Sequence, residues 1–282
     1  MGLTIGLGPA FVGSSGGGGG NAGQTIFDLE FVRATCYAVV EDKLIREFPL
    51  VDTSLLNSMS SMFDGCTNLQ TIPLINTSNV KSMYKAFYNC SNLKTIPLLD
   101  TSKVESLYDA FYGCKSLESM PRLNTSKVTD MYRAFYNCSS LKEFPEFDMS
   151  NVTNMTFLCH GCSALEVVPS LKTSKATSFA NSFNGCSGLK VISSLDALNV
   201  ATINAATFNN CVSLETCKIK NLKTNLPMSN CLALSKESVL YIFENAQTVT
   251  AACTITLHSD VFAQLTDDEI AIATEKGFSV VG

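Results

Sequence analysis

The sequence predicts an α/β repeat solenoid, a right-handed stack of about eight 24-residue units, each an extended segment and a short helix, with a cap at either end. Three observations predict it. A cysteine recurs at Cys66, Cys90, Cys114, Cys138, Cys162, Cys186 and Cys211, at steps of 24 and a last step of 25. Leu69, Leu93, Leu117, Leu141, Leu165, Leu189 and Leu214 keep the same period, as do Phe63, Phe87, Phe111, Phe135, Phe183 and Phe208. Apolar positions repeated in phase must line one continuous core.

Within a unit, Leu93 to Leu98 is short and apolar and reads as a strand. Thr101 and Ser102 offer hydroxyls to cap the turn that follows. Met83, Ala86, Phe87 and Cys90 then fall at i, i+3, i+4 and i+7, the spacing of one buried helical face. A copy without cysteine stands first, because Ile45, Pro49, Thr53 and Ser54 occupy the places of Leu69, Pro73, Thr77 and Ser78. The array therefore runs over residues 42–231.

Residues 25–41 alternate loosely and are rich in β-branched and aromatic side chains, as an N-terminal cap requires. Residues 232–282 lose the period and form a C-terminal α/β cap. There Ser235 opens a helix through Asn245, Cys253 to Leu257 is extended, and Thr266 with Glu269 makes a capping box for a helix ending at Gly277. Phe278 to Val281 reads as a last strand.

The unit L-x-x-I-P-x-x-x-T-S-x-V-x-x-M-x-x-A-F-x-x-C resembles the BspA-like class of leucine-rich repeat over roughly residues 42–231. That class occurs in surface proteins of anaerobic and gut-associated bacteria and their phages. The resemblance implies a binding scaffold and names no shared ligand.

Composition narrows the function. The net charge of −5 arises from 20 basic and 25 acidic residues spread through the repeats, so no basic stripe exists to follow a phosphate backbone. Seven of the 12 cysteines share one phase, where small soft side chains suit a buried, reduced ladder. Pairing among Cys36, Cys217, Cys231 and Cys253 stays open. Cys159, His160 and Cys162 resemble a metal or redox element, but Cys159 holds a phenylalanine position and His160 a tyrosine position, which is drift within a repeat. No metal or cofactor is expected. With two histidines and no carboxylate or nucleophile paired at catalytic spacing, neither is catalysis.

Residues 1–24 hold ten of the 17 glycines and no Lys or Arg. They lack the cationic and sustained apolar regions of a secretory signal, and no run is long enough to cross a bilayer. Leu3, Ile5, Leu7, Phe11 and Val12 are unusual in a solvating tail and read as an anchor on a flexible glycine tether.

Six of the eight tyrosines occupy two repeat positions in three central units: Tyr84, Tyr108 and Tyr132 at one, Tyr88, Tyr112 and Tyr136 at the other. Lys85, Asp109 and Arg133 lie between them. The stripes lapse at Thr156 and His160, whereas a purely architectural position would run the whole array. These nine residues are the candidate binding surface. A different ladder, Lys94, Glu118, Lys142, Glu166, Lys190 and Glu215, alternates in sign and reads as a structural salt-bridge row.

The expectation is a non-enzymatic binding or structural protein, held by its N-terminus to other proteins of a larger assembly, a phage virion made in the bacterial cytoplasm. Its solenoid would recognise a glycan or protein of the host surface, as one copy or as a homo-oligomer. A bacterial cell-surface adhesin and an intracellular interaction scaffold are the alternatives.

Overall fold

The computed structural model describes residues 47–48 and 53–282. The anchor and tether (1–24), the N-terminal cap (25–41), Cys36 and most of the first unit lie outside the described residues. The rest is a repeat solenoid with one continuous core. Every member of the leucine ladder is at most 2% exposed and every member of the phenylalanine ladder at most 1%. Phe63, Phe87, Phe111 and Phe135 stack face to face at 5.1–5.3 Å. Cys159 interrupts the pile, and it resumes at Phe183 and Phe208.

The short helix expected in each unit is not there. Residues 84–89 and their counterparts form consecutive tight turns. The amides of Ala86, Tyr88 and Cys90 donate within the turns, to Met83, Lys85 and Phe87. Those of Met83, Lys85, Phe87 and Asn89 donate instead to Ser106, Tyr108, Ala110 and Tyr112 of the next unit, at 2.6–3.2 Å. A helix bonds its amides within the segment, so spending every second one on the neighbour excludes it. Parallel bridges from Ser58 through Ser82, Ser106, Asp130, Asn154 and Ser178 to Thr202 mark the start of this turn stack.

The extended side becomes a regular sheet only late in the array. There β1 (Val167–Ser170), β2 (Val191–Asp196) and β3 (Thr216–Lys220) pair in parallel in that order. Pro73, Pro97, Pro121 and Pro145 recur at one position with no amide to donate, Pro169 holds the same position in β1 at the edge of the sheet, and Ser193 and Lys218 stand there in β2 and β3.

Hydroxyls serve a different purpose from the one expected. The buried Thr77, Thr101, Thr125 and Thr173 donate to the carbonyls of Asp100, Asn124, Asp148 and Asp196 in the next unit, at 2.9–3.0 Å. The turn is capped by the preceding Asx residue: Asp100 accepts from the Ser102 amide at 3.0 Å, and Asp148 from Ser150 likewise. The Ser102 amide and hydroxyl hold the Asp100 carboxyl below the usual carboxylate range, and the Ser150 hydroxyl and amide do the same for Asp148. Of the alternating charge ladder, only Lys190 and Glu166 close to an ion pair among the described residues, at 2.8 Å.

The cysteine ladder is buried and unpaired by disulfides, and its thiols have acceptors. Cys90, Cys114, Cys138 and Cys162 donate to Phe63, Phe87, Phe111 and Phe135 of the preceding unit, at 3.0–3.1 Å. Cys217, Cys231 and Cys253 are free thiols too. Burial drives the thiols of Cys90, Cys114, Cys138 and Cys186 far above their ordinary pKa.

At the C-terminal end, α1 (Lys236–Asn245) is capped by Ser235 and packs on β3. Ser238 joins the two: its hydroxyl accepts from the Cys217 amide and donates to the Glu215 carbonyl. A second parallel sheet holds β4 (Leu226–Met228), β5 (Cys253–Leu257) and β6 (Phe278–Val281). Between β5 and β6 lie α2 (Ser259–Phe262), which the sequence reading did not anticipate, and α3 (Asp267–Thr274). The latter carries the Thr266–Glu269 capping box and stops three residues short of Gly277.

One repeat position requires φ > 0 and is held by Gly or Asn alone: Gly65, Asn89, Gly113, Asn137, Gly161, Gly185 and Asn210. Asn89 leans over Gly113, where an added Cβ would overlap the Asn89 Oδ1. Gly113→Ala should therefore cost about 1–3 kcal/mol. The double change with Asn89→Gly should recover only the overlap, leaving the left-handed backbone strain; urea unfolding of the three variants measures both parts.

Candidate functional site

The three central units place the six tyrosines on one face. Each tyrosine follows or precedes a buried core residue by one position, as Tyr84 follows Met83 and Tyr88 follows Phe87, so its ring lies at the rim of the core. Tyr84, Tyr108 and Tyr132 form one pile, at 5.3 and 4.8 Å with planes 30–32° apart. Tyr88, Tyr112 and Tyr136 form the other, at 4.6 and 4.7 Å and within 14° of parallel.

The second pile does not lapse at His160. That imidazole stacks on Tyr136 at 4.5 Å and 9°. Phe157 stands edge-on to Tyr132 at 6.0 Å and to His160 at 5.7 Å, closing both piles. Sequence reasoning put His160 at a tyrosine position but took it as the end of the stripe, and it passed over Phe157, which lies one period beyond Arg133. Burial lowers the His160 pKa, and its Nδ1 is buried with no hydrogen-bond partner among the described residues.

Between the piles runs the column Lys85, Asp109, Arg133 and Phe157. Asp109 is wholly buried. The Arg133 Nη2 donates to its Oδ2 at 3.0 Å, and the Arg133 Nε lies 2.9 Å from its Oδ1. Burial raises the Asp109 pKa, and Arg133 offsets this only in part. Desolvation acts to lower the Arg133 pKa, but the Asp109 charge together with the neighbouring tyrosines outweighs it and the pKa rises. The guanidinium also lies over Tyr132, Tyr112 and Tyr108, 4.7–5.9 Å from the ring centres, and the Lys85 ammonium over Tyr88 and Tyr84 at 5.0 and 5.4 Å. The structure thus brings all nine candidate residues together.

Two properties decide what this face can do. Rings stacked in piles spend their faces on each other, so they present edges and phenol hydroxyls outward and offer little flat surface to a sugar ring. Secondly, the middle column is left-handed: Lys85, Asp109, Arg133 and Phe157 have φ of 50–59°. Asn181 continues the column at φ 57°, but Lys, Arg and Phe there each cost about 1–2 kcal/mol. Strain kept in bulky side chains at one place is a mark of function.

The ion pair is asymmetric in exposure, with the Arg133 side chain 30% exposed and that of Asp109 0%. Arg133→Met should cost about 3–5 kcal/mol at neutral pH, because it leaves a buried charge without a partner. Asp109→Asn should cost less, because the guanidinium still reaches water. The Asp109 pKa is raised in the fold, so the penalty for its charge disappears as pH falls through that raised value toward the ordinary 3.8. Arg133→Met should regain stability on acidification and Asp109→Asn should not, as read from denaturation midpoints across pH.

One family model matches the chain twice, over residues 57–169 and 130–251, and is described as "Mycoplasma protein of unknown function, DUF285". No curated protein matches. Among solved structures, a leucine-rich repeat protein from Bacteroides ovatus is similar at 21% identity and a TM-score of 0.43, over 71% of this chain. The chain spans about half that protein's length, 53%. The two family matches together take in the whole tyrosine face and more than half of the chain, which therefore belongs to the DUF285 family.

Proposed function

We propose that this protein is a non-enzymatic recognition scaffold that presents its tyrosine face to a partner on a bacterial surface. One observation carries the reading: the central units keep Lys85, Arg133 and Phe157 in left-handed backbone, between two tyrosine piles, where Asn would fold more cheaply. At Arg133 the fold recovers that cost through the buried Asp109, and at Phe157 by closing the piles, whereas Lys85 forms no ion pair among the described residues, and a contact surface would use it. Tyrosine and arginine are the residues that concentrate binding energy at protein interfaces.

In the same proposal, residues 1–24 hold the scaffold in a larger assembly, a phage virion. What supports this is sequence alone: the apolar Leu3, Ile5, Leu7, Phe11 and Val12, followed by a glycine run long enough to act as a tether. Several tethered copies would turn weak single contacts into firm attachment.

Lys85→Asn should raise stability by about 0.5–1 kcal/mol by relieving the left-handed strain, while weakening retention of the chain by bacterial envelope preparations in a sedimentation assay. Stability and retention that both rise together would mean that the side chain serves the fold and not a partner. For the assembly, mass spectrometry of purified phage particles should find the unprocessed N-terminal peptide ending at Arg33. Its recovery only from cell envelopes, with a different N-terminus, would make the chain a bacterial surface adhesin.

A further inference from the structure

What separates the tyrosine piles from the phenylalanine pile is their place at the rim and the phenol on each ring. Phe63, Phe87, Phe111 and Phe135 stack at 5.1–5.3 Å and are fully buried. Tyr88, Tyr112 and Tyr136 stack at 4.6 and 4.7 Å and are partly exposed. Stacking by itself asks for no hydroxyl, as the core pile shows. A row of phenols adds chemistry: each gives up one electron and one proton to a strong oxidant, leaving a radical with spin on the ring carbons beside the C–O bond.

Geometry decides what such a radical meets. Tyr88 and Tyr112 lie 14° from parallel, and Tyr112 and Tyr136 7°. Parallel rings of identical residues in successive units are related by nearly a pure translation, so each ring carbon lies about as far from its counterpart as the ring centres do. That leaves the carbons beside the hydroxyls about 1 Å beyond van der Waals contact. The other pile is looser, at 4.8 and 5.3 Å with planes 30–32° apart. Bond formation tips one ring edge toward the next, and a partly exposed ring has room for that movement. The described cysteines, all buried free thiols, supply no covalent tie between units.

We propose that the tyrosine face is a site of oxidative cross-linking, where hydrogen peroxide and a haem peroxidase join Tyr112 to Tyr88 or Tyr136 as dityrosine and so staple neighbouring units. Two phenols each lose an electron and a proton, and the two radicals pair in one carbon–carbon bond between ring positions beside the hydroxyls. The hydrogen on each of those carbons then moves as a proton to its own phenolic oxygen, restoring both rings. The two electrons and two protons removed reduce one peroxide to two waters. Tyr112 is the shared member, because it stands between Tyr88 and Tyr136. The bond joins residues 24 apart in sequence, so it constrains the unfolded chain as a disulfide would. This modification goes beyond the recognition reading and does not rest on it.

The test treats the full chain with haem peroxidase and hydrogen peroxide and reads dityrosine fluorescence, intact mass and mapped cross-linked peptides. The monomer should lose two hydrogens for each bond, with Tyr88–Tyr112 and Tyr112–Tyr136 links appearing before any in the looser pile. A held neighbour acts at an effective concentration of about 1 mM or more, so at micromolar protein the links should form within one chain. Tyr112→Phe, which keeps a ring in the pile, should abolish both links, whereas Tyr88→Phe should spare Tyr112–Tyr136. The oxidised monomer should melt several degrees above the untreated chain. Links only between chains, links in which Tyr241 figures as often as Tyr112, an unchanged total yield in Tyr112→Phe, or an oxidised monomer that melts no higher than the untreated chain overturns the proposal.

Discussion

Every second amide of the turn segment is bonded to a carbonyl of the following unit, and the rest of the molecule depends on that alternation. It fixes the axial step near the spacing of paired strands, and so brings like side chains into register. The phenylalanine pile, the buried leucines and the two tyrosine piles are consequences of one repeated bond pattern. The single 25-residue step shows how strictly it is kept. At the added residue the Asn204 side chain accepts from the Asn181 amide in place of a carbonyl, and the backbone bonds resume from Phe183 to Thr207. In the sheet the same surplus is removed by a register shift between Ile192 and Leu195.

The polar groups of the interior follow from the same geometry. Turns stacked without helix or sheet leave carbonyl lone pairs inside the core, where each needs a donor. Cysteine supplies one without a strongly polar side chain: the Phe87 carbonyl accepts the Cys90 amide within its turn and the Cys114 thiol from the next unit. Where the packing leaves room beside Met155 and Phe179, the hydroxyls of Ser182 and Thr207 do the same work. The threonine ladder performs it on the opposite edge of the unit. A cysteine-rich sequence is here a set of buried weak donors: Cys90, Cys114, Cys138, Cys162, Cys186 and Cys211 are free thiols that each face a carbonyl of the preceding unit.

The candidate site is built on the least economical part of this scheme. Two positions per unit require left-handed backbone. The outer one is filled by Gly and Asn, whose side chains tolerate it. The inner one carries Lys, Asp, Arg and Phe in consecutive units, between the tyrosine piles. Strain, a fully buried carboxylate and a gathering of rings coincide there and nowhere else among the described residues. The scaffold is uniform enough to make that local departure visible.

The period, the ladders and the capping residues Ser235 and Thr266 were legible in the sequence, because each is a local pattern with a local cause. The same pattern misled at Met83, Ala86, Phe87 and Cys90. An i, i+3, i+4, i+7 spacing reports which side chains point inward, and a run of tight turns satisfies it as well as a helix does. Position also revealed that six tyrosines share one face, but not which way their rings turn. Sequence by itself determined that identical residues recur at one spacing and must stack. Only the tertiary structure decided that backbone amides bond between units, that rings face each other and not the solvent, and that Arg133 folds back onto Asp109. Those outcomes depend on the distance between neighbouring units, which no single repeat contains.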